Sequence, residues 1–274
     1  MKYKLLVADF DGTLLNSKHQ VTHETINAVN EYMSKGGIFT IATGRRYSSV
    51  KLSMGELKVN APIICFQGAQ IVDNITEKIL SSIELSNEVA TKCAAWLEDR
   101  KIYFQLFIDD KMYVRSSCET TRWYCEICHT EAFETVIPLS EFIKNANKSV
   151  FKILVIADEV ITPRIVEELE DSFGGECSML MSRPDFIEII SNKTNKAEGM
   201  KFLCKTLSIE QCETIALGDS QNDLSMIEYA GLGIAMGNAF EEIKLAANVI
   251  TETNDDNGVA RAIYRYCLKE KDNE

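Results

Sequence analysis

Two aspartates with one residue between them, Asp9 and Asp11, follow a short apolar run and precede Gly12-Thr13. Two carboxylates so placed suit a division of labour. One attacks phosphorus as a nucleophile, and the other protonates a leaving alkoxide and then deprotonates the hydrolytic water. Gly12 and Thr13 let the chain turn tightly behind them. Far along the chain, Asp219, Asn222 and Asp223 form a second polar cluster, and Thr43-Gly44-Arg45 and Lys196 stand between the two. Asp9, Asp219 and Asp223 offer hard oxygen ligands, and Mg²⁺ takes an oxygen shell of one or two carboxylates with water and substrate phosphate. The Thr43 hydroxyl and the bare Gly44 N–H suit phosphate oxygens at a loop. Lys196 is a point charge able to neutralise a phosphate and an attacking carboxylate together, and Asn222 can donate from its amide.

Residues so far apart in sequence act together only if the fold gathers them. Residues 4–8 read as a buried strand ending at the acidic turn. A helix over 22–35 follows, with Ile26, Val29 and Met33 on one face and Gly36-Gly37 closing it. A second buried strand, 38–42, ends at Thr43, and another helix and a strand over 63–66 come next. This alternation predicts a doubly wound, mostly parallel α/β sheet. In such a sheet the carboxyl ends of the strands meet on one edge, where ligands bind. After about residue 85 the rhythm changes. A hairpin flanks Asp109-Asp110, a strand covers 152–157, a helix 163–173, and two strands lie near 178–181 and 186–190. This reads as an inserted α+β domain over 86–189, leaving 1–85 and 190–274 as the core. The α/β rhythm returns with a helix from Lys196 to Leu207 and a strand over 214–217. The charged tail 269–274 reads as frayed.

The bulk composition fits this scheme and narrows the partners. Of 274 residues, 46% are hydrophobic and 26% charged, an ordinary globular balance. The 29 basic and 41 acidic residues leave a net charge of −12, which repels nucleic acid and anionic membranes. It also repels a phosphorylated substrate unless a local cation reverses the field. The start shows no export signal and no segment has 18 successive apolar residues. Nine cysteines without paired spacing point to reduced thiols in the cytoplasm.

Taken together, DFDGTLL (Asp9 to Leu15), TGR (Thr43 to Arg45), the lysine of NKAEGM (Lys196) and GDSQNDLSMI (Gly218 to Ile227) resemble the haloacid dehalogenase superfamily. Within it they resemble the Cof-type phosphatases, as do AMGNA (Ala235 to Ala239) and NDDNGVARAI (Asn254 to Ile263). The resemblance spans the core, and the insert has the size and position of the family's cap. It implies Mg²⁺-dependent hydrolysis of a small phosphorylated metabolite, such as a sugar phosphate, through an aspartyl-phosphate on Asp9. It implies that the Asp11 backbone carbonyl joins the metal shell while its side chain transfers protons. Asp219 matches the remaining protein ligand, with Asp223 behind it. The Phe10 backbone, Thr43, Gly44, Lys196 and Asn222 match phosphate-binding positions. Gln67-Gly68-Ala69 departs from the Asn-Gly-Ala common in relatives, and Gln67 receives no role. The expected assembly is a monomer or homodimer.

Other readings compete at single residues. Asp9-x-Asp11 alone also describes a solvated turn, and Lys196 an exposed first-turn residue. Asp223 also suits an N-cap of the helix from Leu224. Arg45 suits substrate contact or a structural salt bridge. Cys125-x-x-Cys128-His129 spells a haem-attachment pattern, but without export or a second ligand pair it reads as a helix face in the insert. A phosphotransferase or mutase differs from a hydrolase only in the phosphoryl acceptor. A catalytically idle scaffold has no physical need for clustered carboxylates.

Overall fold

Leu5, Leu6, Val7 and Ala8 are apolar without alternation, so the strand they form must be covered on both faces, as in a parallel sheet flanked by helices. In the computed structural model, which describes residues 2–146 and 149–268, all four are fully buried in β1 (Leu5–Asp9). The tail 269–274 lies outside the described residues. The chain continues through α1 (His23–Ser34), β2 (Ile38–Ala42), α2 (Tyr47–Ser53), β3 (Ile63–Cys65), β4 (Gln70–Val72) and β5 (Ile79–Ser82). Next come α3 (Asn87–Asp99), β6 (Phe104–Ile108), β7 (Lys111–Val114), α4 (Glu119–Ile127), β8 (Ala132–Glu134), α5 (Leu139–Ala146), β9 (Val150–Ile156), α6 (Thr162–Phe173), β10 (Cys177–Arg183) and β11 (Phe186–Ser191). It ends with α7 (Lys196–Leu207), β12 (Thr214–Gly218), α8 (Leu224–Tyr229), β13 (Leu232–Ala235), α9 (Glu241–Ala246), β14 (Val249–Ile250) and α10 (Gly258–Ile263).

Two compact units result. The first comprises residues up to Gly44, Lys51–Ser81 and those from Asn195 on; the second comprises Arg45–Val50 and Ser82–Thr194. The first holds an eight-stranded sheet in the order β14-β13-β12-β1-β2-β3-β4-β5, parallel from β14 to β3. The chain therefore winds outward from β1 in one direction and from β12 in the other. Between these two strands the order reverses, and this is where an open α/β sheet leaves a crevice at its carboxyl edge.

The second unit is α+β. Its six-stranded sheet runs β10-β11-β9-β6-β7-β8. One face carries Phe104, Leu106, Ile153, Val155, Ile187 and Ile189 into a core shared with Val89, Cys93 and Leu97 of α3, Ile143 of α5 and Ile165 and Leu169 of α6. The fold class is thus the expected doubly wound, mostly parallel α/β sheet with an inserted α+β unit.

Three local expectations change. The buried stripe of α1 is Thr25, Ala28, Val29 and Tyr32, with Ile26 and Met33 only half-buried. The Tyr32 hydroxyl anchors that register by donating to the Tyr3 carbonyl at 3.2 Å. The strand expected through residue 66 stops at Cys65, because Phe66 and Gln67 adopt left-handed backbone (φ 48° and 58°). Of the Cys125-x-x-Cys128-His129 pattern only Cys125 lies in α4. Cys128 caps it, and His129 is left-handed (φ 46°) just beyond.

Candidate active site

The topology brings the dispersed motifs to one edge. In the sheet register Asp9 lies opposite Ala42 of β2, and Ala8 opposite Leu217 of β12. Thr43-Gly44 and Gly218-Asp219 therefore leave the sheet on either side of Phe10-Asp11. Two glycines make the approach of the loops feasible. Gly12 has φ +81°, and a Cβ there would sit 2.5 Å from Asp219 Oδ2. A Cβ on Gly218 would lie 2.4 Å from that of Asp223.

Lys196 binds the cluster together. It is the first residue of α7, whose N-cap Asn195 accepts from the Glu198 N–H at 3.0 Å. A cation at a helix N-terminus opposes the helix dipole, and this one is fully buried as well. Both costs are offset by carboxylates: Lys196 Nζ donates to Asp9 Oδ1 and, at 2.5 Å, to Asp223 Oδ1. Burial alone would lower the lysine pKa, but Asp223 and Asp9 outweigh it and hold the ammonium above its ordinary value. Asp219 is held differently, accepting from the Thr13 hydroxyl at 2.8 Å and the Ser220 hydroxyl at 2.9 Å.

Oxygen atoms of Asp9, Asp219 and Asp223 lie within 4.8 Å of one another, and all three residues are buried. Two of the three carboxylates thus share one ammonium, and the third is held by hydroxyls beside them. Burial, then Asp223, pushes the Asp9 carboxyl well above the usual range, against the pull of Lys196. Burial and Asp223 likewise push Asp219 up to about 7, although the Thr13 and Ser220 hydroxyls pull it down. Crowded hard donors with excess negative charge fit a small divalent cation, which would favour the ionised forms that burial disfavours.

Asp223 stands at the N-cap position of α8 but makes no side-chain bond to that helix. Its Oδ2 accepts from the backbone N–H groups of Asp219 (2.9 Å) and Ser220 (3.0 Å). It closes the turn over Gln221–Asp223 from within, while its other oxygen holds Lys196. With both oxygens engaged, Asp223 positions Lys196 and Asp219.

Among the phosphate-binding expectations, Thr43 and Asn222 are buried. Thr43 donates its N–H to the Ile64 carbonyl and accepts from the Gln67 N–H, both at 2.9 Å, so its backbone is pinned by the β3 loop. Phe10 is fully buried, and its carbonyl accepts from the Leu15 N–H at 2.9 Å. Asn222 Nδ2 donates to Gln67 Oε1 at 3.1 Å, and Asn222 Oδ1 is buried without a partner. Gln67, given no role from sequence, is thus what orients Asn222, and its position beside the Gly68 turn was the available signal. Asp11 is exposed at the mouth of the β1 loop. Arg45 belongs to the second unit, where its buried guanidinium donates to the Ile127 carbonyl at 3.3 Å.

A strand-end carboxylate, a lysine bridging two carboxylates and an acidic loop after β12 make a site suited to phosphoryl transfer. Residues 6–263 match the family model for haloacid dehalogenase-like hydrolases, and the chain belongs to that family. It is 32% identical to phosphatase YwpJ of Bacillus subtilis over 94% of this chain and 97% of that one. A haloacid dehalogenase-like hydrolase structure from B. subtilis superposes with a TM-score of 0.86 at 28% identity, covering 96% of this chain and 99% of that one. The Bacteroides thetaiotaomicron protein BT4131, described as a subclass IIB sugar phosphatase, superposes at 0.81 with 25% identity over 97% and 100%. The chain is accordingly a phosphatase of the Cof type. No helix among the described residues is long and apolar enough to cross a membrane.

Proposed function

We propose that the chain hydrolyses small phosphate monoesters, sugar phosphates or related phosphometabolites, in two in-line steps through phospho-Asp9. The observation that carries this reading is the buried bridge from Lys196 to Asp9 and Asp223. It aims one oxygen of Asp9 and sets a fixed positive charge beside it, which favours the ionised carboxylate against its burial. In the first step an Asp9 oxygen bonds to phosphorus as the ester P–O bond breaks, and Asp11 gives its proton to the departing alcohol. In the second, Asp11 takes a proton from water, whose oxygen attacks phosphorus and displaces Asp9 as a free carboxylate. Lys196, the Thr43 hydroxyl, the Asn222 amide and the backbone at Phe10 and Gly44 hold the phosphoryl oxygens throughout.

Asp9, Asp219 and the Asp11 carbonyl would hold Mg²⁺, which when bound offsets the charge of the carboxylates and of the phosphoryl group. The inserted unit acts as the cap that sets specificity. The substrate class is supported by the likeness to BT4131. The partner is a small phosphorylated metabolite rather than nucleic acid or membrane, as a net charge of −12 favours, and the setting is the cytoplasm.

A panel of phosphate esters assayed with Mg²⁺ and with chelator tests the reading. Release of phosphate that needs Mg²⁺ and disappears in Asp9→Asn is the expected result. Full activity in Asp9→Asn would remove the covalent mechanism, and no turnover of any ester would remove the activity.

A further inference from the structure

Two motifs, AMGNA (Ala235 to Ala239) and the opening of NDDNGVARAI (from Asn254), supply no group to the chemistry above. Each nevertheless reaches the β1 loop, and all the residues involved lie in the first unit. Asn238 follows β13. Its Nδ2 donates to the Gly12 carbonyl at 2.8 Å, and its Oδ1 accepts from the Asn254 N–H at 3.0 Å. A carbonyl on one side and an N–H on the other admit only this orientation of the amide. Asn254 Nδ2 in turn donates to the Leu15 carbonyl at 2.9 Å. The loop 236–240 is also tied to the other side of the site. The N–H groups of Met236 and Phe240 donate to the carbonyls of Gly218 and Asp219, both at 3.0 Å.

These bonds join the two loops whose spacing the reaction depends on. The Leu15 N–H donates to the Phe10 carbonyl, and Leu15 pairs with Asp11 across a β-bridge, so a shift of Leu15 carries Asp11 with it. Gly12, next to Asp11, approaches Asp219 too closely to leave room for a side chain. Asn238 fixes Gly12 to the segment bonded to the Asp219 carbonyl, and Asn254 fixes Leu15 to that same segment. Asn238 is exposed and Asn254 half-buried. Water can replace hydrogen bonds at such places, so they add little to stability. Water does not hold a loop in one position, however, and a displacement of about 1 Å in a reacting group can cost about 10²-fold in rate.

We infer that Asn238 and Asn254 are positioning residues. They hold the β1 loop against the Asp219 loop and so set where the Asp11 carboxyl meets the departing alcohol. This rests on the reading of Asp11 as acid and base given above. The test measures kcat/KM for phenyl phosphate and for p-nitrophenyl phosphate in the wild type, in Asn238→Ala and in Asn254→Ala. The two esters are alike in shape, but phenolate is the poorer leaving group and depends more on the proton from Asp11. A displaced Asp11 therefore penalises phenyl phosphate more. The expected result in each variant is a loss of about tenfold or more on phenyl phosphate and a smaller loss on the nitrophenyl ester, at a nearly unchanged urea midpoint. In chelator, the Leu15 amide of each variant should exchange its hydrogen about tenfold faster than in the wild type, because the loop has lost a tie. No loss on either ester, an equal loss on both, or unchanged exchange at Leu15 would overturn the inference while leaving the phosphatase reading intact. Failure of the wild type to release phosphate from either ester would remove both.

Discussion

Lys196 is the residue on which the site's electrostatics turn. Replacing it by Met would leave Asp9 and Asp223 buried without their shared cation, which costs about 3–5 kcal/mol. Urea unfolding in chelator should read that loss, and Asp9→Asn in the same assay should not show it, because it removes charge from a crowded site. Asp11 is expected to behave differently again. It is exposed, so Asp11→Asn should fold normally and slow phosphate release by about 10²–10⁴-fold. Acid quenching during turnover should then trap label on the protein, because the second step also lacks its base.

At the scale of elements, the loops after β1 and β12 work as an interlocked pair. Gly12→Ala would combine a left-handed φ with a Cβ 2.5 Å from Asp219 Oδ2. It should cost about 1–3 kcal/mol and raise the Mg²⁺ concentration needed for half-maximal activity, because Asp219 must move. The β3 loop makes a second prediction. Gln67 is left-handed (φ 58°), a conformation that Asn tolerates better than other side chains with a Cβ. Gln67→Asn should therefore preserve stability, while the shorter amide loses its reach to Asn222 and raises KM more than it lowers kcat.

For the whole molecule, pH and metal should act together. The Asp219 carboxyl is raised from 3.8 to about 7 in the folded chain. Between those values the native state binds a proton that the unfolded state does not, so this group makes stability fall as pH rises. The stabilisation present at low pH is lost by about pH 7, at roughly 1.4 kcal/mol per unit of pH in that interval. A cation that prefers ionised ligands gains as the proton leaves. The Tm increment from Mg²⁺ should therefore be small near pH 5 and grow toward pH 7–8. An increment independent of pH would contradict the assignment of Asp219 to the metal.

The amino-acid sequence by itself determined the chemistry and the class of fold. Apolar runs such as 5–8 and 38–42, the latter broken only by Thr40, read as buried strands, and each ends on a polar motif whose donor types limit what it can do. Strand order was the further step. Only long-range pairing sets β12 against β1, and so brings Asp219 to Asp9 across more than two hundred residues. Tertiary structure alone decided what holds each carboxylate. Asp9, Asp219 and Asp223 are chemically identical in sequence. They separate because Asp223 is saturated by Lys196 and two backbone N–H groups, Asp219 is held by hydroxyls, and Asp9 ends the central strand. Gln67 became legible for the same reason, since its partner Asn222 is distant in the chain. The burial of Gln105, Lys152 and Glu188 in the second sheet stayed hidden because they alternate with apolar residues as in any half-exposed strand. Their burial on one face is a property of packing that no local pattern encodes.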